Sequence, residues 1–126
     1  MEMWHNPACS KCATAHETLN AAGIAVDLRP YLQEPPTAEA LRDVLRRLGA
    51  RPWDVCRLGE PVATSLGLAD WGRTADDEDR WIEVMVAHPV LIQRPILVLD
   101  DGSAVVGRSP EALAEVVRRS GGDAAR

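Results

Sequence analysis

Cysteine is scarce in this chain, at three in 126 residues. That is an odd and low number for a scaffold held together by disulfides. The sequence has no long apolar run and no basic leader ahead of an apolar stretch, so we expect no export signal, no membrane association and a cytoplasmic location. An excess of positive charge is also missing. A formal net charge of −5 speaks against general affinity for nucleic acid or anionic membranes. Lysine is almost absent: Lys11 is the only one, every other basic side chain being arginine. There is no internal repeat and no low-complexity segment. With 46 % hydrophobic residues, the length suits one domain, residues 1–126, with its own core and a loose tail at 121–126. We expect a monomer.

What the chain does have is His5-Asn6-Pro7-Ala8-Cys9-Ser10-Lys11-Cys12. Two cysteines stand three residues apart where a short apolar strand gives way to a helix, and in a reducing compartment such a pair is catalytic or metal-binding rather than structural. Backbone N–H groups at a helix start are unpaired and the dipole there is positive, which biases Cys9 towards the nucleophilic thiolate. Cys12 lies one turn on, within reach of a disulfide to Cys9. It is placed to resolve a sulfur intermediate. The Lys11 charge, between the two thiols, further favours the thiolate.

The rest of the pattern is mixed α/β. A strand at Glu2–His5 precedes a helix with Cys12, Ala15, Leu19 and Ala22 on one face, closed by Gly23, and Ile24–Leu28 reads as a second strand. Thr37 caps a helix through Leu41, Val44, Leu45 and Leu48, ended by Gly49. Thr74 and Asp77 open another that carries Trp81, Ile82, Met85 and Val86, stopped by His88-Pro89. Arg94–Leu99 and Ser103–Val106 flank the hairpin turn Asp101-Gly102, and Ser109-Pro110-Glu111 starts a last helix running to about Ser120. A C-x-x-C after the first strand of this β-α-β, helical insert, β-β-α order predicts a thioredoxin-like fold with the insertion between the second and third strands. Pro95 is the expected site of a cis peptide bond facing the thiols.

His5-Asn6-Pro7-x-Cys9-Ser10-Lys11, Arg94-Pro95-Ile96 and Gly107-Arg108-Ser109-Pro110-Glu111 together resemble the glutaredoxin-linked arsenate reductase family, whose wider relatives include Spx-type regulators. The resemblance covers nearly the whole chain and implies reduction of arsenate to arsenite on a thioredoxin-like fold, with a helical insert over about residues 37–91. It places the family's nucleophile on Cys9, its histidine on His5 and its arginine triad on Arg57, Arg94 and Arg108. It implies no bound cofactor and an external thiol donor, glutathione with glutaredoxin or thioredoxin. Arsenate carries one to two negative charges, and planar guanidinium forks offset its repulsion of a thiolate. Asn6, Ser10 and Lys11 are expected to shape the anion loop, Asn6 and Ser10 through turn and capping bonds. A protonated His5 would help hold Cys9 as thiolate. Members dependent on glutathione and glutaredoxin lack a cysteine at the position of Cys12, so an intramolecular disulfide is open to this chain. No Cys-x5-Arg loop follows Cys9, position 15 being alanine, which excludes the phosphatase-like arsenate reductases.

Other readings have less support. His5, Cys9, Cys12 and His16 are four nominal zinc ligands, but their spacing is compressed relative to two-knuckle sites, and we expect no metal. Asp76-Asp77-Glu78-Asp79 fits the acidic first turn of a helix. Cys56 is expected to be a small buried residue, and Trp53, Trp71 and Trp81 core. An Spx-like redox switch binding RNA polymerase shares the C-x-x-C and the Arg-Pro pair, but needs no three-point oxyanion site. A general thiol–disulfide oxidoreductase is the remaining alternative.

Overall fold

The computed structural model describes residues 1–120, so the tail expected to be loose lies outside the described residues. In chain order the regular elements are β1 (Glu2–Trp4), α1 (Ser10–Ala21), β2 (Asp27–Arg29), α2 (Ala38–Leu48), α3 (Pro61–Leu66), α4 (Glu78–Ala87), β3 (Ile96–Val98), β4 (Ala104–Val106) and α5 (Pro110–Arg119), with short 3-10 turns inside the insert. Two compact units result: Met1–Glu34 joined by the chain from Arg94 onward, and Pro35–Gln93. None of the described helices is long and apolar enough to cross a membrane.

The first unit is a four-stranded sheet in the order β2-β1-β3-β4. β1 runs parallel to β2, as the α1 crossover requires, and antiparallel to β3, which in turn pairs antiparallel with β4 across the Asp101-Gly102 turn. This is the thioredoxin-like arrangement. Met3, Leu97 and Leu99 on the sheet meet Ala15 and Leu19 of α1 and Leu113 and Val116 of α5. The Arg94–Pro95 bond is cis.

β2 begins later than the hydrophobic run Ile24–Leu28 predicts. The Ile24 N–H still donates to the Leu19 carbonyl at 3.0 Å, with Gly23 in the left-handed region at φ 78°, so the chain is leaving α1 until Val26. Ile24 and Val26 pack on the core as loop residues, and pairing starts only at Asp27 opposite Glu2.

Gly107 lies where the sheet hands over to α5. A Cβ there would come within 2.8 Å of Leu97 Cδ1 and 3.2 Å of Leu113 Cδ2. Gly107→Ala is therefore expected to lower stability by about 1–3 kcal/mol, the usual cost of overpacking a filled core. Urea unfolding measures it, and an unchanged midpoint would mean that both leucines yield freely.

In the second unit, Thr37 caps α2 by accepting from the Ala40 N–H at 3.0 Å, and Gly49 closes it at φ 67°. Leu41, Val44 and Leu45 of α2 face Trp81, Ile82 and Met85 of α4. The Thr74–Asp77 capping box forms, but the three residues after Thr74 make a 3-10 turn and α4 proper starts at Glu78. Trp81 is buried and donates Nε1–H to the Gly72 carbonyl at 2.8 Å. Trp53 and Trp71 are half-buried, edge-on to Trp81 with centroids 6.0 and 5.5 Å away. Cys56 is half-buried, in a bridge with Ile92, and burial pushes its thiol up to about 11. Helix α3 is not anticipated above, although Pro61 at its first position and Gly67 just past its end are the usual signals.

Candidate active site

Cys9 is the N-cap residue of α1. Its backbone is extended at φ −95° and ψ 123°, and its side chain makes no capping hydrogen bond. The sulfur thus stands beside the N–H groups of the first turn, where its thiolate form is favoured. Asn6 builds the approach: its carbonyl accepts the Cys9 N–H at 3.0 Å, its Oδ1 accepts the Ala8 N–H at 3.0 Å, and its own N–H points to Cys12 Sγ at 3.4 Å. Asn6 therefore acts on both cysteines, through an Asx turn for one and a backbone donor for the other.

The two thiols differ sharply. Partial burial raises Cys9, but the Cys12 N–H, the Arg94 side chain, the Lys11 N–H and the Cys12 thiol outweigh it and bring Cys9 down from its ordinary 9.0 to about 7. Cys12 is fully buried on the core face of α1, and burial is the main reason its thiol is pushed up to about 11, with the neighbouring Cys9 charge adding to it. Half-ionised at pH 7, Cys9 carries far more thiolate than the roughly one per cent of an unperturbed thiol of pKa 9. Alkylation of Cys9 by a neutral reagent is accordingly expected to rise through a midpoint near 7, with Cys12 unlabelled over the same range. Mass mapping across a pH series checks this, and a midpoint at the ordinary value would remove the electrostatic basis of the site.

Two expected contributors act differently. Lys11 lowers Cys9 through its backbone N–H, and its side chain is exposed. Burial, with nearby His16 adding to it, lowers His5 from its ordinary value, which disfavours the imidazolium that the expected role requires. Its ring lies edge-on to His16 at 6.4 Å, and its Nδ1 is buried with no hydrogen-bond partner among the described residues. Ser10 is exposed at the first position of α1.

Arg94 and Arg108 belong to the same unit as Cys9, at the far ends of β3 and β4. Arg94 hydrogen-bonds to Cys9 through its side chain, a partnership the sequence does not announce. Arg108 is half-buried and donates from Nη1 to the Arg94 carbonyl at 2.7 Å. Arg57 belongs to the Pro35–Gln93 unit, where Nε donates to Glu60 Oε2 at 3.2 Å and Nη1 to Gln93 Oε1 at 2.7 Å. Glu60, three residues after Arg57, is the one partner of that arginine a sequence pattern can suggest. Among the described residues no group of three or more His, Cys, Asp or Glu side chains is arranged to hold a metal ion.

The chain is similar to known proteins over almost its whole length. The chain is 48 % identical over 119 residues to a protein of the glnII region of Streptomyces viridochromogenes, covering 94 % of this chain and all of that one. It is 35 % identical over 118 residues to arsenate reductase of Neisseria meningitidis, covering 93 % and 97 % of the two chains. The structure of an arsenate reductase from Vibrio cholerae superposes with a TM-score of 0.81 at 34 % identity, over 92 % of this chain and 98 % of that one. The family match runs from residue 4 to residue 116, taking in Cys9, Arg57, Arg94 and Arg108 alike, and the chain belongs to the ArsC family.

Proposed function

We propose that this protein reduces arsenate to arsenite with Cys9 as the nucleophile. The observation that carries the reading is a thiol held near neutrality on which the Arg94 side chain acts, with the Arg108 guanidinium bonded to the Arg94 carbonyl. Ile96 stands opposite Val106, the Gly107 N–H reaches the Pro95 carbonyl at 3.0 Å, and Arg108 Nη1 reaches the Arg94 carbonyl at 2.7 Å, which brings the two arginines together. Like charges held close together repel. An oxyanion between them reverses the sign of that interaction, and paired N–H groups suit its oxygens.

The chemistry follows from the thiol pair. Cys9 thiolate attacks arsenic(V), forming an S–As bond while one oxygen leaves as water after taking up protons. A second thiol, deprotonated, then attacks the Cys9 sulfur. An S–S bond forms, the S–As bond breaks, and its electron pair goes to arsenic, which is reduced to arsenic(III) as the two sulfurs are oxidised together by two electrons. Cys12 is the nearest second thiol. Burial is the main barrier to its ionisation, and the Cys9 negative charge, the smaller one, is withdrawn once Cys9 is bonded to arsenic. A thioredoxin-type donor, or glutathione with glutaredoxin, returns the disulfide to thiols.

Steady-state arsenite production with thioredoxin and with glutathione/glutaredoxin, each supplied separately, tests the proposal. Turnover with at least one donor is expected. No arsenite with either, together with reduction of a small disulfide substrate, would instead mark a general thiol–disulfide oxidoreductase.

A further inference from the structure

We infer that Arg108 is a positioning residue for Arg94, fixing through its side chain the backbone from which Arg94 reaches Cys9. The inference rests on the site proposed above but adds a role that anion binding does not require.

The geometry is that of a ladder whose last rung is a side chain. β3 and β4 pair in register from Val98–Ala104 to Ile96–Val106. Beyond the strand ends, the Gly107 N–H still reaches the Pro95 carbonyl at 3.0 Å. At the next pair the partner of the Arg94 carbonyl is the Arg108 guanidinium, at 2.7 Å from Nη1. A charged donor makes this bond stronger than the neutral rungs before it. It ties down the residue whose own guanidinium hydrogen-bonds to the Cys9 sulfur.

Arg108 is itself held. It lines a cavity of about 280 Å³ with Lys11 and Thr14 of α1 and Pro110 and Leu113 of α5. Gly107 before it is packed against Leu97 and Leu113, and Ser109 after it caps α5 by accepting the Ala112 N–H at 3.0 Å. With neighbours on both sides fixed, the guanidinium has a rigid base from which to hold the Arg94 backbone. The Arg94 side chain acts on the Cys9 sulfur, whereas the hydrogen bond Arg108 makes is to the Arg94 carbonyl. A double variant separates a relayed effect of Arg108 from a direct one.

The test is the titration of Cys9 in protein free of arsenate, read as the pH dependence of alkylation by iodoacetamide, so it stands apart from whether arsenate is the substrate. In Arg108→Ala the Cys9 midpoint is expected to rise from about 7 towards 8, which lowers the alkylation rate at pH 7 about fivefold. Arg94→Ala should move it in the same direction. The double variant Arg94→Ala/Arg108→Ala should go no further than Arg94→Ala alone, because the relay is already cut. Arg108→Lys, whose ammonium can still donate to the Arg94 carbonyl, should restore most of the thiolate. Should Arg108→Ala fold poorly by circular dichroism, Arg108→Met keeps the apolar stem without the donors and gives the same reading. A wild-type midpoint in the Arg108 variants, or a rise that persists in full on the Arg94→Ala background, overturns the inference.

Discussion

Arsenite formation is expected to fall by a factor on the order of 10³ or more in Cys9→Ser, since a hydroxyl neither ionises near pH 7 nor accepts the redox change. The loss should come without loss of fold, and stability should rise. Cys9 is an N-cap residue that offers the first-turn N–H groups only sulfur, a weak acceptor, and makes no cap hydrogen bond of ordinary geometry. Serine is among the preferred caps, and its hydroxyl would accept one of the first-turn N–H groups, contributing up to about 1 kcal/mol. The site thus holds a residue that is poor for the helix and good for the chemistry. Parallel assays of arsenite production and thermal unfolding check both halves. Retained turnover in the serine variant would sink the mechanism, and a large drop in melting temperature would show that the cysteine is structural.

Cys12→Ser is expected to separate the two thiol routes. Without any added thiol, the wild type should release one equivalent of arsenite and accumulate a Cys9–Cys12 disulfide, seen as the loss of two hydrogens in the peptide that carries both residues. The neighbouring thiol has the advantage of a high effective concentration over a free donor. The serine variant should release none under those conditions and turn over only when glutathione is supplied. Its burial on the core face of α1 makes Cys12 inaccessible to outside reagents, so the disulfide it forms is with Cys9 or with nothing. If no disulfide accumulates in the wild type, and Cys12→Ser turns over normally with either donor, Cys12 is a packing residue of the helix face it shares with Ala15 and Leu19.

The sequence carried the order of elements and the place of the thiols because both rest on local rules. Cys9 at a strand-to-helix turn, Thr37 and Ser109 as caps, and Asp101-Gly102 as a hairpin turn each act within a few residues, and each stands where those rules put it. What was not legible depends on distance along the chain. Ile24 and Val26 look like strand from their side chains, yet a helix-closing bond to Leu19 delays pairing until Asp27. His5 reads as a cation from its type, but its burial and its nearness to His16 disfavour the charged form. The meeting of Arg108 with the Arg94 carbonyl depends on β3 pairing with β4, which no spacing between the two numbers reveals. Lys11, alone of its kind, suggests a charge effect where its backbone N–H acts on Cys9.

The insert has a further consequence, for synthesis. β1 sits inside the sheet, with Glu2 opposite Asp27 on one side and Val98 on the other. The first partner leaves the ribosome soon after β1, and the second only once the whole of Pro35–Gln93 has been made. The nascent chain therefore carries an unpaired inner strand edge through most of its elongation, the kind of edge that invites pairing with another chain. β1 is only three residues long, which limits what such an edge can recruit. Cys9 is made before the Pro35–Gln93 unit, whereas Arg94, which lowers its pKa, is made only after it. The full reactivity of the thiol thus waits for the insert.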